Sequence, residues 1–476
     1  MKKRQPTRRA VVGGLASMSS TLSIPGFMRS AIALPSNGVR FVEAGTEEAE
    51  QLSYQYNLSY AVEPHLRAMC STTQGVVETV RWAREKDVRF AIRSGGHCFG
   101  ATSSHPDLVI DLRELYGVSL DPTSRRLTAQ PGAWLASLYR AGFAHSLAPS
   151  AGWCGDVGLG GHILGGGLGY LARANGLLCD HLKSATMVTA DGSLLTCSAV
   201  ENPDVFWACR GGGGGLGVLT SFEIELQPVG TTHSMRLQTV ASPDNAAALT
   251  ERWMQWSSQA SRSTSSQLFL TIRDQHQVAV TITGLSSEPR DVLLKDLKTV
   301  ADISFEVTDE MITSGTFEYV MVATVLTRGL HRYLTSHSTV LDASLSISEL
   351  TDILDTAFAV QGPYGDPVLS LEAMGGAIAD LSETETAFPY RRGAFVMSCS
   401  SSSLEERHLD PDNSDFYRLG ERLWQYGISR GYTNYRDRSI ANFEDAYWSH
   451  NLDRLRSIKR RVDPSGVFSS HQTVQY

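Results

Sequence analysis

The sequence predicts an α+β protein built as two lobes, and three observations carry that prediction. From about Ala61 to Gln227, apolar helical stretches alternate with short β-branched runs. From about 228 to 425, glycines thin out and longer strand-like runs alternate with helices, as a second lobe built on a sheet would require. Beyond Asn434 the chain is charged and amphipathic as far as Asp463-Pro464, a pair that stops a helix. At 476 residues the chain can bury more than one core.

The first 33 residues do not belong to that fold. The basic head MKKRQPTRR precedes the mildly apolar, Gly/Ser-rich AVVGGLASMSSTLSIPG, and Ala31 to Ala33 offer small residues for cleavage before Leu34. Residues 1–33 therefore read as an export signal, giving a periplasmic or secreted protein. The Arg8-Arg9 pair after Thr7 points to the twin-arginine route, which carries proteins already folded. Cleavage would remove six cations (Lys2, Lys3, Arg4, Arg8, Arg9, Arg29) and no acid, taking the formal charge from −8 to −14. A surface that acidic has no electrostatic footprint for nucleic acid or for an anionic membrane. No run of about 18 uncharged apolar residues is present to span a bilayer.

In the first lobe, TQGVVETVRWAREKDV sets Val76, Val77, Val80, Trp82 and Ala83 largely on one helical face. RFAIRS, DLVIDL and RRLTAQPG read as strands, and SATMVTADGSLLTC as two strands around a D-G turn at 191–192. In the second lobe, QLFLTI, QVAVTITG and VLSLEAMGGAI read as strands and SELTDILDTAF as a helix. The segment from Asn434 to Asp463 reads as one charged helix.

Four features carry chemistry. RSGGHCFG (93–100) is a polar glycine turn between apolar runs, with His97 inside it beside Cys98. In CGDVGLGGHILGGGLGYLARANGLLCDHL (154–182) the glycines are dense enough to lay backbone flush against a flat ligand. RGGGGGLGVLTSFEIEL contains G-x-G-x-x-G at 212, 214 and 217, but a strand-like run follows where a dinucleotide fingerprint needs a helix. The seven cysteines (70, 98, 154, 179, 197, 209, 399) form no CxxC pair, and an odd count leaves at least one unpaired. His97, His105, His162 and His181 lack metal-ligand spacing, so no metal site is expected.

Taken in order with GGAIADLSETETAFPYRRGAF (375–395) and the C-terminal TNYRD (433–437), these motifs resemble the berberine-bridge-enzyme-like flavoprotein oxidases of the vanillyl-alcohol-oxidase type. The resemblance covers residues from about 60 to the end. It implies a PCMH-type FAD-binding domain at 34–227, a substrate domain at 228–425 with a β-sheet flanked by helices, and a segment at 426–476 that returns to the FAD domain. Arg93, Ser94, Gly95 and Gly96 would wrap the FAD pyrophosphate with backbone N–H groups. His97 would bond the flavin 8α-methyl and Cys154 its C6, while Cys98 matches no flavin-linked position. Gly158, Gly161, Gly167, Val218 and Asn434 would complete the FAD contacts. His162 would hydrogen-bond near the flavin N1/C2=O edge and stabilise the charge that collects there on reduction. Gly152 lies where the family controls oxygen access.

The same resemblance makes Tyr435 the catalytic base beside His162, although a phenol is a poor base unless its pKa is lowered. Leu168 stands where many relatives carry an aromatic residue, with Tyr170 two places on as a possible substitute and Glu372 as a reserve base. The implied reaction is hydride removal from an alcohol carbon of a sugar, an oligosaccharide or a secondary metabolite, with O2 as acceptor. A flavin-dependent dehydrogenase and an oxidative-cyclisation enzyme remain alternatives, and oligomeric state is not legible.

Overall fold

A computed structural model describes residues 34–476 apart from 54, 101, 274–275, 303–305, 326–330, 361–364, 406–413 and 430. The export reading of residues 1–33 lies outside the described residues.

Two larger sheets, with a two-stranded pair of Leu147–Ala148 and Gln227–Pro228, build the first part of the chain. Val39–Glu43 pairs antiparallel with Leu66–Cys70, which runs parallel to Leu108–Asp111 and through it to Phe90–Arg93. Against these strands lies the helix Thr73–Glu85, capped by Thr72 Oγ1 accepting from Gly75 N. Its Val76, Val77, Val80, Trp82 and Ala83 are all buried, the face that the apolar spacing predicts. The second sheet is antiparallel, in the order Val118–Asp121, Arg126–Ala129, Val218–Glu225, Leu182–Val188, Leu194–Ser198. Gly192, at φ +76°, takes the left-handed position of the turn joining its last two strands. Val218–Glu225 confirms that a strand, not a helix, follows the 210–217 glycines.

A seven-stranded antiparallel sheet forms the second part, ordered Ile312–Thr316, Thr231–Ala241, Gln277–Ser286, Thr264–Arg273, Val368–Ala373, Phe395–Ser403, Tyr333–Leu341. One face packs on the helices Pro243–Gln259, Arg290–Ala301, Ile347–Ala359 and Ser414–Tyr426, making a core around Trp253, Phe395 and Leu371. The separate core of the first part, around Phe222, Tyr139 and Ile163, also takes in Tyr447, Trp448 and Leu455 from the C-terminal segment.

That segment departs from the single helix expected over 434–463. Two helices, Phe443–Trp448 and Leu452–Val462, are separated at Ser449, whose φ is +43°. Residues 434–442 are not helical. The Asp437 carboxylate accepts from Ser439 N and Oγ, the local side-chain bonding that competes with a helix start. The second helix does stop before Asp463, whose buried carboxylate takes Lys459 Nζ, Val467 N and Phe468 N.

Candidate active site

A cavity of about 450 Å³ lies between the glycine turns and the open face of the seven-stranded sheet. Ser94, Gly95, Gly96, His97, Cys154 and Gly158 line it. Gly161, His162, Val218, Asn434 and Tyr435 line it as well, so residues spread over more than 340 positions converge on one space. Two expected cofactor residues do not. Arg93 is fully buried behind the turn, its guanidinium donating to Ser103 O, Leu52 O, Gln55 Oε1 and Ser104 Oγ. Its side chain braces the loop from behind. Gly167 (φ +84°) packs inward, where a Cβ would stand 2.6 Å from Leu178 Cβ.

The glycine turns close on each other. A Cβ on Gly95 would lie 2.4 Å from Gly158 N, and one on Gly158 would lie 2.2 Å from Gly95 N, so neither can carry a side chain. Ser94 Oγ ties the same junction, donating to Pro131 O at 2.6 Å and accepting from Gly160 N. Gly161 and Gly214 also line the cavity, and a Cβ at either would meet nothing within 4 Å. Bare backbone thus faces the interior on two sides, the surface that a flat, phosphate-bearing cofactor needs.

His97 is held by stacking. The Tyr56 ring lies 3.9 Å away at 17°, and Asp156 Oδ1 stands 3.8 Å from His97 Nδ1. Burial pulls the imidazole down to about 4, while Asp156 acts the other way. The ring is therefore neutral, and one nitrogen keeps its lone pair. Burial, with Asp156 and Glu372, pushes the Cys154 thiol up to about 12. All seven cysteines are free thiols.

His162 Nε2 accepts from Gly152 N at 2.9 Å. Burial pulls this imidazole to about 4 also, so its proton sits on Nδ1, a neutral donor. The NYRD turn is bolted to this region. Asn434 Nδ2 donates to His162 O at 3.0 Å, and Leu168 N donates to Tyr432 Oη at 3.1 Å. Gly165 makes room, since a Cβ there would come 2.1 Å from Asn434 Oδ1.

Tyr435, the expected base, is paired with a second titratable group. Its hydroxyl donates to Glu372 Oε1 at 2.6 Å, and burial followed by the Glu372 charge raises the phenol well above its ordinary value. Glu372, on the strand Val368–Ala373, is 4 % exposed and lines the cavity. Burial lifts its carboxyl to about 8, and Oε2 has no hydrogen-bond partner. The pair places a carboxylate tuned near neutrality behind a phenol. Tyr170, the possible second tyrosine, is not on the wall; it packs on Trp153 and donates to Gln267 Oε1.

Sequence reasoning missed Tyr56, Asp156 and Phe99, whose ring stacks on Tyr435 at 5.3 Å and 5°. It also passed over Ser336, Ser370, Ser398, Ser400 and Ser402, which line the sheet side of the cavity. The period-two serines of VMSCSSSS were the available signal, since alternate residues of a strand share a face.

Comparison with known proteins agrees with this geometry. The FAD binding domain family matches residues 64–198, and the family described as berberine and berberine like matches 431–475. Reticuline oxidase of Eschscholzia californica is 27 % identical over 446 residues, covering 83 % of this chain and 80 % of that protein. Xylooligosaccharide oxidase of Thermothelomyces thermophilus is also 27 % identical, with 87 % of each chain covered. The fold is that of glucooligosaccharide oxidase from Acremonium strictum, whose flavin is a 6-S-cysteinyl, 8α-N1-histidyl FAD. That structure superimposes with a TM-score of 0.83 at 23 % identity, covering 92 % of this chain and 97 % of that one. With an FAD-binding domain match, a berberine-like C-terminal match and a glycine-lined cavity to which both segments contribute, the chain is an FAD-linked oxidoreductase similar to the berberine-bridge-enzyme-like proteins.

Proposed function

We propose that the protein is an exported oxidase that holds FAD through both His97 and Cys154 and oxidises the alcohol carbon of a sugar, an oligosaccharide or a hydroxylated secondary metabolite. On this reading residues 34–227 and 426–476 hold the cofactor, and residues 228–425 present the substrate wall. FAD, when bound, supplies the acceptor for the carbinol hydride, and O2 is the terminal acceptor that yields H2O2.

The observation that carries the reading is the 2.6 Å bond from Tyr435 to Glu372 at the cavity wall. Loss of hydride from a carbinol carbon requires loss of the hydroxyl proton. Tyr435 Oη receives that proton as its own passes to Glu372 Oε1, so the carboxyl ends protonated and the phenol is restored. A carboxyl lifted to about 8 holds the proton at neutral pH, which a carboxyl at its ordinary value would not. The neutral His162 lines the cavity and keeps Nδ1–H as a donor. The serine wall supplies short hydroxyls to a polyhydroxylated ligand. A twin-arginine signal fits a protein that must load its cofactor before export.

A peroxide-coupled screen of sugars, oligosaccharides and hydroxylated metabolites tests the reaction. At least one alcohol should bleach the flavin anaerobically and give one H2O2 per turnover in air. If none bleaches it, the oxidase reading loses its support.

A further inference from the structure

We propose that Asp156 is the residue that drives attachment of the flavin to His97, a second reaction performed by this chain on its own cofactor. The inference rests on the covalent reading above and adds to it the group that makes His97 reactive.

Three placements support it. Asp156 Oδ1 lies 3.8 Å from His97 Nδ1, with both side chains about one-sixth exposed. Tyr56 stacks on the imidazole at 3.9 Å and restricts its rotation, so the ring keeps one edge toward the carboxylate. Asp156 itself is not on the cavity wall, whereas His97 and Cys154 both are. The carboxylate therefore lies beside the attacking nitrogen yet off the wall of the space that the ring would occupy.

The charge balance gives the carboxylate its role. His97 Nδ1 donates its lone pair to the flavin 8α-carbon, which has released one methyl proton to water. A carbon–nitrogen bond forms, and the imidazole carries a positive charge until its Nε2 proton leaves to water. The electron pair remains on the isoalloxazine, and O2 takes it with two protons as H2O2. A positive charge born on a buried imidazole is costly, because desolvation already disfavours it there. His331 and Arg332 face His97 and oppose that charge further; Asp156 favours it. A carboxylate at this distance in a partly buried site is the term that lowers the barrier.

The same carboxylate works against Cys154, two residues away. Bonding at C6 requires the thiolate, and Asp156 is among the groups that hold the thiol protonated. Neutralising Asp156 should therefore slow one link and not the other, an asymmetry that general loosening of the site would not produce.

The test is a time course of covalent labelling after FAD is added to full-length protein from riboflavin-limited cells. Flavin on the His97 and Cys154 peptides is quantified by mass spectrometry. D156N should slow His97 labelling by at least about tenfold, while in the H97A background D156N labels Cys154 as fast as H97A alone or faster. D156E should recover much of the His97 rate, and formate should accelerate it in D156A. Equal His97 labelling in wild type and D156N overturns the role of Asp156 alone. Slowing of both links to the same extent overturns it too, by marking the effect as structural. An unlabelled His97 in the wild type overturns the covalent reading and this inference with it.

Discussion

Tyr435 and Glu372, 63 residues apart in sequence, meet through one short bond of 2.6 Å inside the cavity. The phenol comes from the C-terminal turn and the carboxylate from a central strand of the seven-stranded sheet. Burial raises both groups, the phenol well above its ordinary value and the carboxyl to about 8. On the proposed reading they form a proton path that ends on the carboxyl near 8.

Removing the end of that path should abolish turnover. E372Q keeps the shape and loses the base, so kcat should fall roughly 10²–10⁴-fold with the flavin retained. Steady-state kinetics beside the flavin absorbance checks this, and a kcat within a few-fold of wild type would exclude Glu372.

The pH profile follows from the sign of the shift. Only the ionised carboxylate accepts a proton, so kcat/KM should rise with pH through about 8 and level above it. Y435F removes a hydrogen bond that favours the charged form. Its profile should move to still higher pH while kcat falls roughly 10–10³-fold. Y170F, off the wall, should stay within about threefold of wild type in kcat.

The same carboxyl links pH to stability. Its folded value, about 8, lies above the unfolded one, so the folded state binds the proton more tightly. That contribution is complete below the ordinary carboxylate range and is lost as pH rises through about 8. E372Q lacks the term, so its melting temperature relative to wild type should rise between pH 6 and pH 9. Thermal scans across that range measure it.

Cofactor attachment is tested by acid precipitation. H97A and C154A should each keep a yellow pellet through the remaining link, and the double variant should release its flavin. A colourless pellet from wild type would remove both assignments.

Gly158→Ala should be among the most damaging small substitutions. Its Cβ would stand 2.2 Å from Gly95 N and 2.4 Å from Ser94 Oγ, forcing the two turns apart. A loss of about 2–4 kcal/mol with lower flavin content is expected, by chemical denaturation and absorbance.

The sequence by itself determined the α+β pattern, the strand after the 210–217 glycines, and the turns carrying His97, Cys154 and His162. Those features are local: apolar period, turn chemistry and glycine spacing act within a few residues. Arg93 and Gly167 belong to the same motifs, yet they brace and pack rather than line, because side-chain direction depends on what lies behind the turn. Only the tertiary structure decided that Glu372 meets Tyr435 at the cavity wall and that Asp156 reaches His97 across 59 positions of sequence. Each of those properties comes from burial and from the proximity of charges on different elements. Desolvation and Coulomb terms have no period along a chain; they arise when the lobes close around one cavity.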